Sequence, residues 1–534
     1  MNSPQTDDPC DVVVVGGALS GAATALQLRR RNPKARITII EKSPLFTRRV
    51  GESTVEISAH FLGRVLGMTE HLNQHHLVKQ GMRFWFANDR TQTLFDCSET
   101  GPAYNVRFPA YQVDRAVLDE EVLRMAEAEG VRVLRPARVR EIELREGGRQ
   151  RVVWEDDSGA TGVLEPRWIV DASGFAALLG RKHGWLKTNQ DHPIATCWSR
   201  WKGVKNLDSR ELAARDAGFA RRSKAIRFTA TNHVVGEGWW SWWIPLKGGD
   251  TSVGIVFDQR ITDLPPGGRL GDRLRAFLDQ HPVARELLVD ATFQEGDVHF
   301  RRNCAYACDR VAGDGFVLVG DAAAFMDPFY SPGMDWISFT TFAAATLVDG
   351  CLRGRPAAER VARHNERFLV SYQRWFDAVY RDKYYYMGDH ELMTLAFRLD
   401  LGLYYQGVVK QVFRFGDAGL EIPPFARPGS GTATRLLALY NRRLSAIART
   451  RKARGTWGRH NQGRYYPFMS YQLDNRLLPR VLWAIGCWLG LELREGWRSW
   501  FGGPAPARLD RYKQPAQTAG VTSTPAVADS AVRA

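Results

Sequence analysis

The sequence predicts an α/β protein in which a discontinuous Rossmann-like dinucleotide-binding domain holds an inserted antiparallel-sheet domain and is followed by a helical C-terminal region. Three observations predict it. The β-branched run Asp11 to Val15 leads into Gly16-Gly17-Ala18-Leu19-Ser20-Gly21, an Ala-rich helical stretch to Arg31, and a second strand, Arg36 to Ile40, closed by Glu41. Two later apolar strands, ending in Asp171-Ala172-Ser173-Gly174 and Gly320-Asp321-Ala322-Ala323, repeat the design of a strand running into small residues beside an acid. Between them, Ala195 to Phe257 is rich in Trp and alternates in polarity, as a half-buried antiparallel sheet does.

The first unit has the order strand, glycine turn, helix, strand, acid. Small residues at Gly16, Gly17, Ala18 and Gly21 let backbone N–H groups approach a pyrophosphate. The helix N-terminus adds positive potential, and Glu41, twenty-five residues after Gly16, is placed to take ribose hydroxyls. The middle glycine of the usual G-x-G-x-x-G is here Ala18. Tyr111-Gln112-Val113-Asp114-Arg115 opens an amphipathic helix ending near Gly130, and Val131 to Leu134 is the next strand. After Asp327 the pattern turns helical, over Trp336 to Leu352, Pro356 to Tyr386, Leu392 to Phe415 and Thr432 to Ala453, with a Pro/Gly-rich loop from Pro423 to Gly431. Leu478 to Phe501 is apolar and Trp-rich, too short for a normal membrane span, and is read as a helix packed on the body rather than an interfacial membrane anchor. The expected boundaries are 9–194 and 301–350 for the nucleotide domain, with a substrate-wall segment near 79–110, then 195–300 for the inserted sheet, 351–501 for the helices and 502–534 for a disordered Pro/Ala/Thr/Ser tail.

A chain of 534 residues is too long for one small binding module, and 44% hydrophobic with 25% charged residues supplies an ordinary globular core. Seven Cys, with only Cys304 and Cys308 close, form neither a disulfide framework nor a zinc pattern. Met1 to Asp8 is polar and acidic, with no secretory n-region, so a cytoplasmic enzyme is expected. The net charge of +15 owes much to late arginines, among them Arg442, Arg443, Arg449, Arg451, Arg454 and Arg459. Their helical spacing among apolar residues reads as a solvated helix face, not a nucleic-acid stripe. His71 and His75 have the i, i+4 spacing of metal ligands, but no Glu follows His71 as in H-E-x-x-H, and no metal site is assigned.

Taken together, the glycine turn, Glu41, Gly51-Glu52-Ser53, Asp171 to Gly174 and Gly320-Asp321-Ala322 resemble the FAD-dependent oxidoreductases of the aromatic-hydroxylase type over roughly the first 350 residues. Within that superfamily the chain resembles the flavin-dependent halogenases. Trp240-Ser241-Trp242-Trp243-Ile244-Pro245 matches their W-x-W-x-I-P, Lys79 stands at their lysine, and Phe325-Met326-Asp327-Pro328-Phe329-Tyr330-Ser331-Pro332-Gly333 is similar to their flavin and halide loop. The resemblance implies FAD bound by Gly16, Gly17, Ala18, Gly21, Glu41, Glu52, Ser53, Arg115, Asp171, Gly174, Asp321, Pro328 and Gly333. It further implies a separate flavin reductase, and a halide oxidised to hypohalous acid that travels to a catalytic Lys79. A small aromatic substrate, free or on a carrier protein, is then met by Trp240, Trp242, Tyr330 and Ser331.

Two departures bear on the reaction. Pro332 stands where the family offers the halide a backbone amide, and proline has no N–H. Losing a donor to a buried anion costs about 1–3 kcal/mol, or about tenfold to a hundredfold in affinity. Tyr330 replaces the glutamate that tryptophan-type members use as base, which points away from tryptophan and toward an electron-rich phenol or pyrrole. Halogenation of such a ring is the leading expectation. The alternatives are a non-halogenating FAD-dependent monooxygenase or dehydrogenase, and a flavin-bearing interaction protein without turnover.

Overall fold

The computed structural model describes residues 5–6, 9–106, 108–468 and 477–501, so the segment read as a tail lies outside the described residues. Its nucleotide-domain sheet has six strands in the order Ala312–Gly313, Phe316–Leu318, Trp168–Asp171, Val12–Val15, Ile37–Ile40 and Arg132–Leu134. All pairings are parallel except the edge hairpin 312–313 with 316–317. The three central strands are buried along their whole length because helices cover both faces. Val15 lies opposite both Ile40 and Asp171, and Asp171 opposite Leu318. This common register brings the glycine turn, Glu41, Ala172 and Gly320-Asp321, spread over 300 residues of sequence, to one carboxyl edge, where doubly wound sheets bind ligands.

The second sheet runs Thr292–Phe293, Ile194–Lys202, Thr251–Asp258, Trp239–Pro245, Thr231–Gly236, Met82–Phe86, Ser98–Pro102 and Tyr465–Phe468, with His299–Arg301 also pairing to Ile194–Lys202. The strand Met82–Phe86 joins it in parallel beside Thr231–Gly236, which places the preceding Lys79 at this sheet rather than in the nucleotide domain. Tyr465–Phe468 departs from the all-helical reading of 351–501. It is a short edge strand containing Pro467, and it pairs with Ser98–Pro102 some 360 residues earlier, so no local pattern announces it. The polar strand Ser98–Pro102 is buried because Glu99 accepts from Arg227 at 2.9 and 3.0 Å and from Arg83. Burial opposes ionisation of Glu99, but the two guanidinium groups outweigh it and hold the carboxyl below its usual range. Glu99→Gln therefore leaves buried arginine charge uncompensated and is expected to cost about 3–5 kcal/mol, read as a fall in Tm. Because the folded-state value is depressed, the contribution is present at neutral pH and lost as pH falls through it.

The helical region comprises chiefly Ala357–Trp375, His390–Tyr404, Ser430–Ala453 and Leu477–Arg494. Two of its helices run on into π-helical turns, Phe376–Tyr380 and Tyr405–Val409, a distortion that re-aims side chains where helices border a site. The late arginines are not simply a solvated face. Arg451 is buried and binds Asp389, Glu391 and Glu495, while Arg443 pairs with Glu492, so these charges clamp the helix 430–453 to the helix 477–494. Periodicity marked which positions were charged but not that acids from two other elements would meet them. The last helix buries Ala484, Trp488 and Leu491 and leaves Trp483 exposed, and Trp497 and Trp500 are exposed in the short 3-10 turn Gly496–Phe501 that follows it. Among the described residues no helix is long and apolar enough to cross a membrane.

Candidate active site

The turn after Val15 is built for close approach. Gly16 has φ +100°, and a Cβ there would lie 2.6 Å from the Ala172 carbonyl oxygen. A Cβ on Gly21 would lie 1.8 Å from the Gly16 carbonyl oxygen, so the third glycine is required by the packing of the helix on the turn itself. Gly17 N–H donates to Glu41 Oε2 at 2.7 Å and Ser43 N–H to its Oε1 at 2.8 Å, which fixes the acid beside the turn. Ala18 is the N-cap position of Leu19–Arg31 and brings no side-chain cap of its own, while Leu19 N–H donates to Asp119 Oδ1 at 3.3 Å. Asp321, at the neighbouring strand end, has no protein donor on its carboxylate among the described residues, and burial pushes it up to about 6 against the pull of Arg115 and Arg301. An orphaned acid facing an open glycine turn fits a dinucleotide that brings hydroxyls of its own.

Other residues assigned to the cofactor serve the protein first. Asp171 accepts from the Ser173 and Leu179 amides at 3.0 and 2.8 Å and so ties down the turn that contains Gly174. Arg115 holds Asp119 with two bonds of 3.0 and 3.1 Å, and its guanidinium leaves no room for a side chain at Gly51. Glu52 is buried against Arg200 at 2.8 Å, joining the loop before Lys79 to the second sheet.

Between the second sheet and the helical region lies a cleft with about 830 Å³ of empty space, part of it open to solvent. Apolar residues such as Val55, Met82, Phe108, Phe397 and Leu403 form most of its walls. Lys79 reaches it while 1% exposed, donating to Ser53 Oγ at 2.8 Å and the Thr54 carbonyl at 2.9 Å. Burial lowers its pKa to about 8, with Glu56 and Asp335 opposing the fall. At pH 7 this amine is still mostly protonated but about a tenth neutral, a far larger neutral fraction than a surface lysine has.

The segment Phe325 to Gly333 supplies the next wall. Asp327 is buried and accepts from His192 Nε2 at 2.7 Å, Tyr384 hydroxyl at 2.8 Å and Phe329 N–H at 2.8 Å. Tyr384 in turn accepts from Trp240 Nε1 at 2.9 Å, so the Trp strand and the loop are locked through one hydrogen-bonded chain. Tyr330 and Ser331 are both left-handed, at φ 71° and 59°, a conformation unfavourable for such residues and held here by their surroundings. Ser331 stands at the N-cap position of the helix Pro332–Leu352 without a side-chain capping bond, and the first helical residue, Pro332, lines the cleft with Tyr330.

Lys79, Tyr330 and Pro332 thus share the cleft, whereas Trp240, Trp242 and Ser331 do not line it. Trp240 lies behind Phe329, at 5.1 Å between ring centroids, and Trp242 Nε1 bonds Ser252 at 3.1 Å. Pro328 and Gly333 flank the strained turn, with open space at Gly333. Sequence reasoning missed Glu56, Asp335 and Asp400, the three carboxylates of the lining. Asp335 and Glu56 sit in the first turns of helices, where an acid reads as complement to the helix dipole; only the fold turns them inward. His71 stacks on His75 at 4.7 Å, and no metal-binding group of three side chains occurs among the described residues.

A glycine-turn sheet with a remote acid at each strand end, joined to a second sheet across a cleft, defines the class as FAD-dependent oxidoreductase. The family model for tryptophan halogenase matches residues 11–105 and 98–387. The chain belongs to that family. It is 28% identical over 389 residues to the flavin-dependent halogenase armH1 of Armillaria mellea, covering 70% of this chain and 71% of the relative. It is 25% identical over 391 residues to the sulochrin halogenase gedL of Aspergillus terreus, covering 68% and 67%. The structure of halogenase PltM in complex with phloroglucinol and FAD superposes with a TM-score of 0.71 at 18% identity, covering 90% of this chain and 96% of that one, a likeness of fold.

Proposed function

We propose that this protein halogenates an electron-rich, phenol- or pyrrole-like aromatic in the cleft at Lys79. The observation that carries the reading is the buried Lys79 amine, lowered to about 8, in a mostly apolar cleft beside Tyr330 and Pro332. FAD is held at the turn Gly16, Gly17, Ala18 and Gly21, with Glu41 and Asp321 for its hydroxyls; bound and reduced by a separate reductase, it supplies with O₂ the oxidation of halide to hypohalous acid. Lys79 receives and orients that acid: in a dry cleft a single amine is a strong, directional partner. Trp240 and the loop it locks through Tyr384 and Asp327 keep the substrate on the Lys79 side. The substrate arrives free or on a carrier protein, in the cytoplasm. The name of one relative, sulochrin halogenase, supports a phenolic ring.

Product mass spectrometry with reduced FAD, O₂ and chloride or bromide over a panel of phenols, pyrroles and indoles tests the reading. Halogenated phenols or pyrroles are expected; oxygenated or dehydrogenated products independent of halide would replace it with the monooxygenase reading that Pro332 favours. Pro332 also makes the halide site weak, so high halide and a preference for bromide are expected. Pro332→Ser adds an amide at the first helical position and should lower the halide concentration at half-maximal rate about tenfold. An unchanged halide titration would remove Pro332 as the cause.

A further inference from the structure

The carboxylates of the cleft differ in what remains to them. Asp400 is committed to the protein and paired with a cation: its Oδ2 accepts from the Tyr330 hydroxyl at 2.9 Å and from the Lys383 ammonium, and its Oδ1 accepts from the Tyr440 hydroxyl at 2.6 Å. It braces the strained Tyr330 turn. Asp335 is held by two residues, Ser58, whose N–H donates to Oδ1 at 2.8 Å and whose hydroxyl also bears on the carboxylate, and Tyr404, whose hydroxyl donates to Oδ2 at 2.8 Å, and no cation forms a salt bridge with it among the described residues. Each carboxylate oxygen has two acceptor directions, so Asp335 keeps capacity for a ligand donor. It sits at the first turn of Pro332–Leu352 and shares the lining with Lys79.

We infer that Asp335, positioned by Ser58 and Tyr404, is the subsite that receives the hydroxyl of a phenolic substrate and takes its proton as the ring is halogenated. This rests on the halogenation reading above. The halogen of hypohalous acid bonds to the ring carbon ortho or para to the hydroxyl as the O–halogen bond breaks. The phenolic proton passes to Asp335, giving a halogenated dienone. Departing hydroxide removes the proton from the halogenated carbon as water, the ring regains aromaticity, and Asp335 returns its proton to the oxygen. The halogen is reduced by two electrons and the ring oxidised by two.

The groups facing Asp335 suit this role. Burial raises its pKa to about 7, the Tyr404 and Ser58 donors restrain the rise, and Glu56 adds to it; Lys79 and Tyr380 also face it. A base of that strength is matched to neutral pH. The rate is therefore expected to fall as pH drops through about 7, where Asp335 becomes protonated.

The test compares phenol with its methyl ether anisole on the flavin-loaded protein. By calorimetric titration, wild type should bind phenol about tenfold tighter than anisole, and Asp335→Asn, which keeps shape and polarity, should erase the ratio. The same variant should lose about 10²–10³-fold in phenol halogenation without loss of free hypohalous acid captured by a scavenger, and should lack the limb near pH 7. Tyr404→Phe removes a donor to the anion, so its limb should move upward by about one pH unit; this variant carries the test if Asp335→Asn does not fold. A wild-type ratio and limb in Asp335→Asn, or an unmoved limb in Tyr404→Phe, overturns the inference. If wild type binds phenol selectively yet halogenates nothing, the halogenation reading fails while the hydroxyl subsite stands.

Discussion

Lys79→Met is expected to lose product formation by at least about a thousandfold while flavin absorbance and reoxidation by O₂ stay near wild type. Methionine fills the space of the buried stem but removes the amine, so the variant separates chemistry from packing. The nearest partners of the amine are Ser53 Oγ and the Thr54 carbonyl, at 2.8 and 2.9 Å. Leaving that carbonyl without a donor costs about 1–3 kcal/mol, visible as a modest fall in Tm. Lys79→Arg is not a conservative control, because a guanidinium stays charged and does not fit a site built for a single nitrogen. Wild-type turnover of a true substrate by Lys79→Met would show that the lysine is only a buried structural cation.

The second large effect is at the glycine turn. Gly21→Ala is expected to purify with flavin occupancy below roughly a tenth of wild type, since its Cβ would fall 1.8 Å from the Gly16 carbonyl oxygen and 3.1 Å from Val14 Cγ1. This collision is with the protein, so it also distorts the turn and lowers Tm. Ala18→Glu separates the two consequences. A carboxylate at the helix entry complements the helix N-terminus but repels a pyrophosphate there, so this variant should keep its Tm and purify colourless. Full flavin content in Ala18→Glu would move the pyrophosphate away from this turn.

What the sequence determined by itself is the nucleotide half of the molecule. Val12 to Glu41 holds within thirty residues the alternation of buried strand, tight turn and helix that a dinucleotide needs, and each part has a local cause, so local pattern suffices. Asp171 and Asp321 were legible for the same reason, as acids ending apolar strands, although the structure gives Asp171 to backbone amides and leaves the Asp321 carboxylate without a protein donor among the described residues. Lys79 was legible only through family resemblance. Nothing in Val78-Lys79-Gln80 distinguishes a buried amine from a surface one, because the surroundings of the amine come from Ser53, Thr54, Glu56 and Asp335.

The tertiary structure alone decided the rest. It kept Trp240 and Trp242 out of the cleft lining, with Trp240 behind Phe329, took Arg451 from an expected solvated face into a buried cluster with Asp389, and brought Tyr465–Phe468 to the edge of a sheet begun far earlier. Above all it set three carboxylates into one largely apolar cleft with different partners, so that Asp400 is paired with the Lys383 cation and Asp335, among the described residues, with none. The physical reason is the same in each case: a side chain's charge state and accessibility depend on what elements distant in sequence bring to it. A linear pattern records the residue and its helix or strand, but not the neighbours that give it its chemistry.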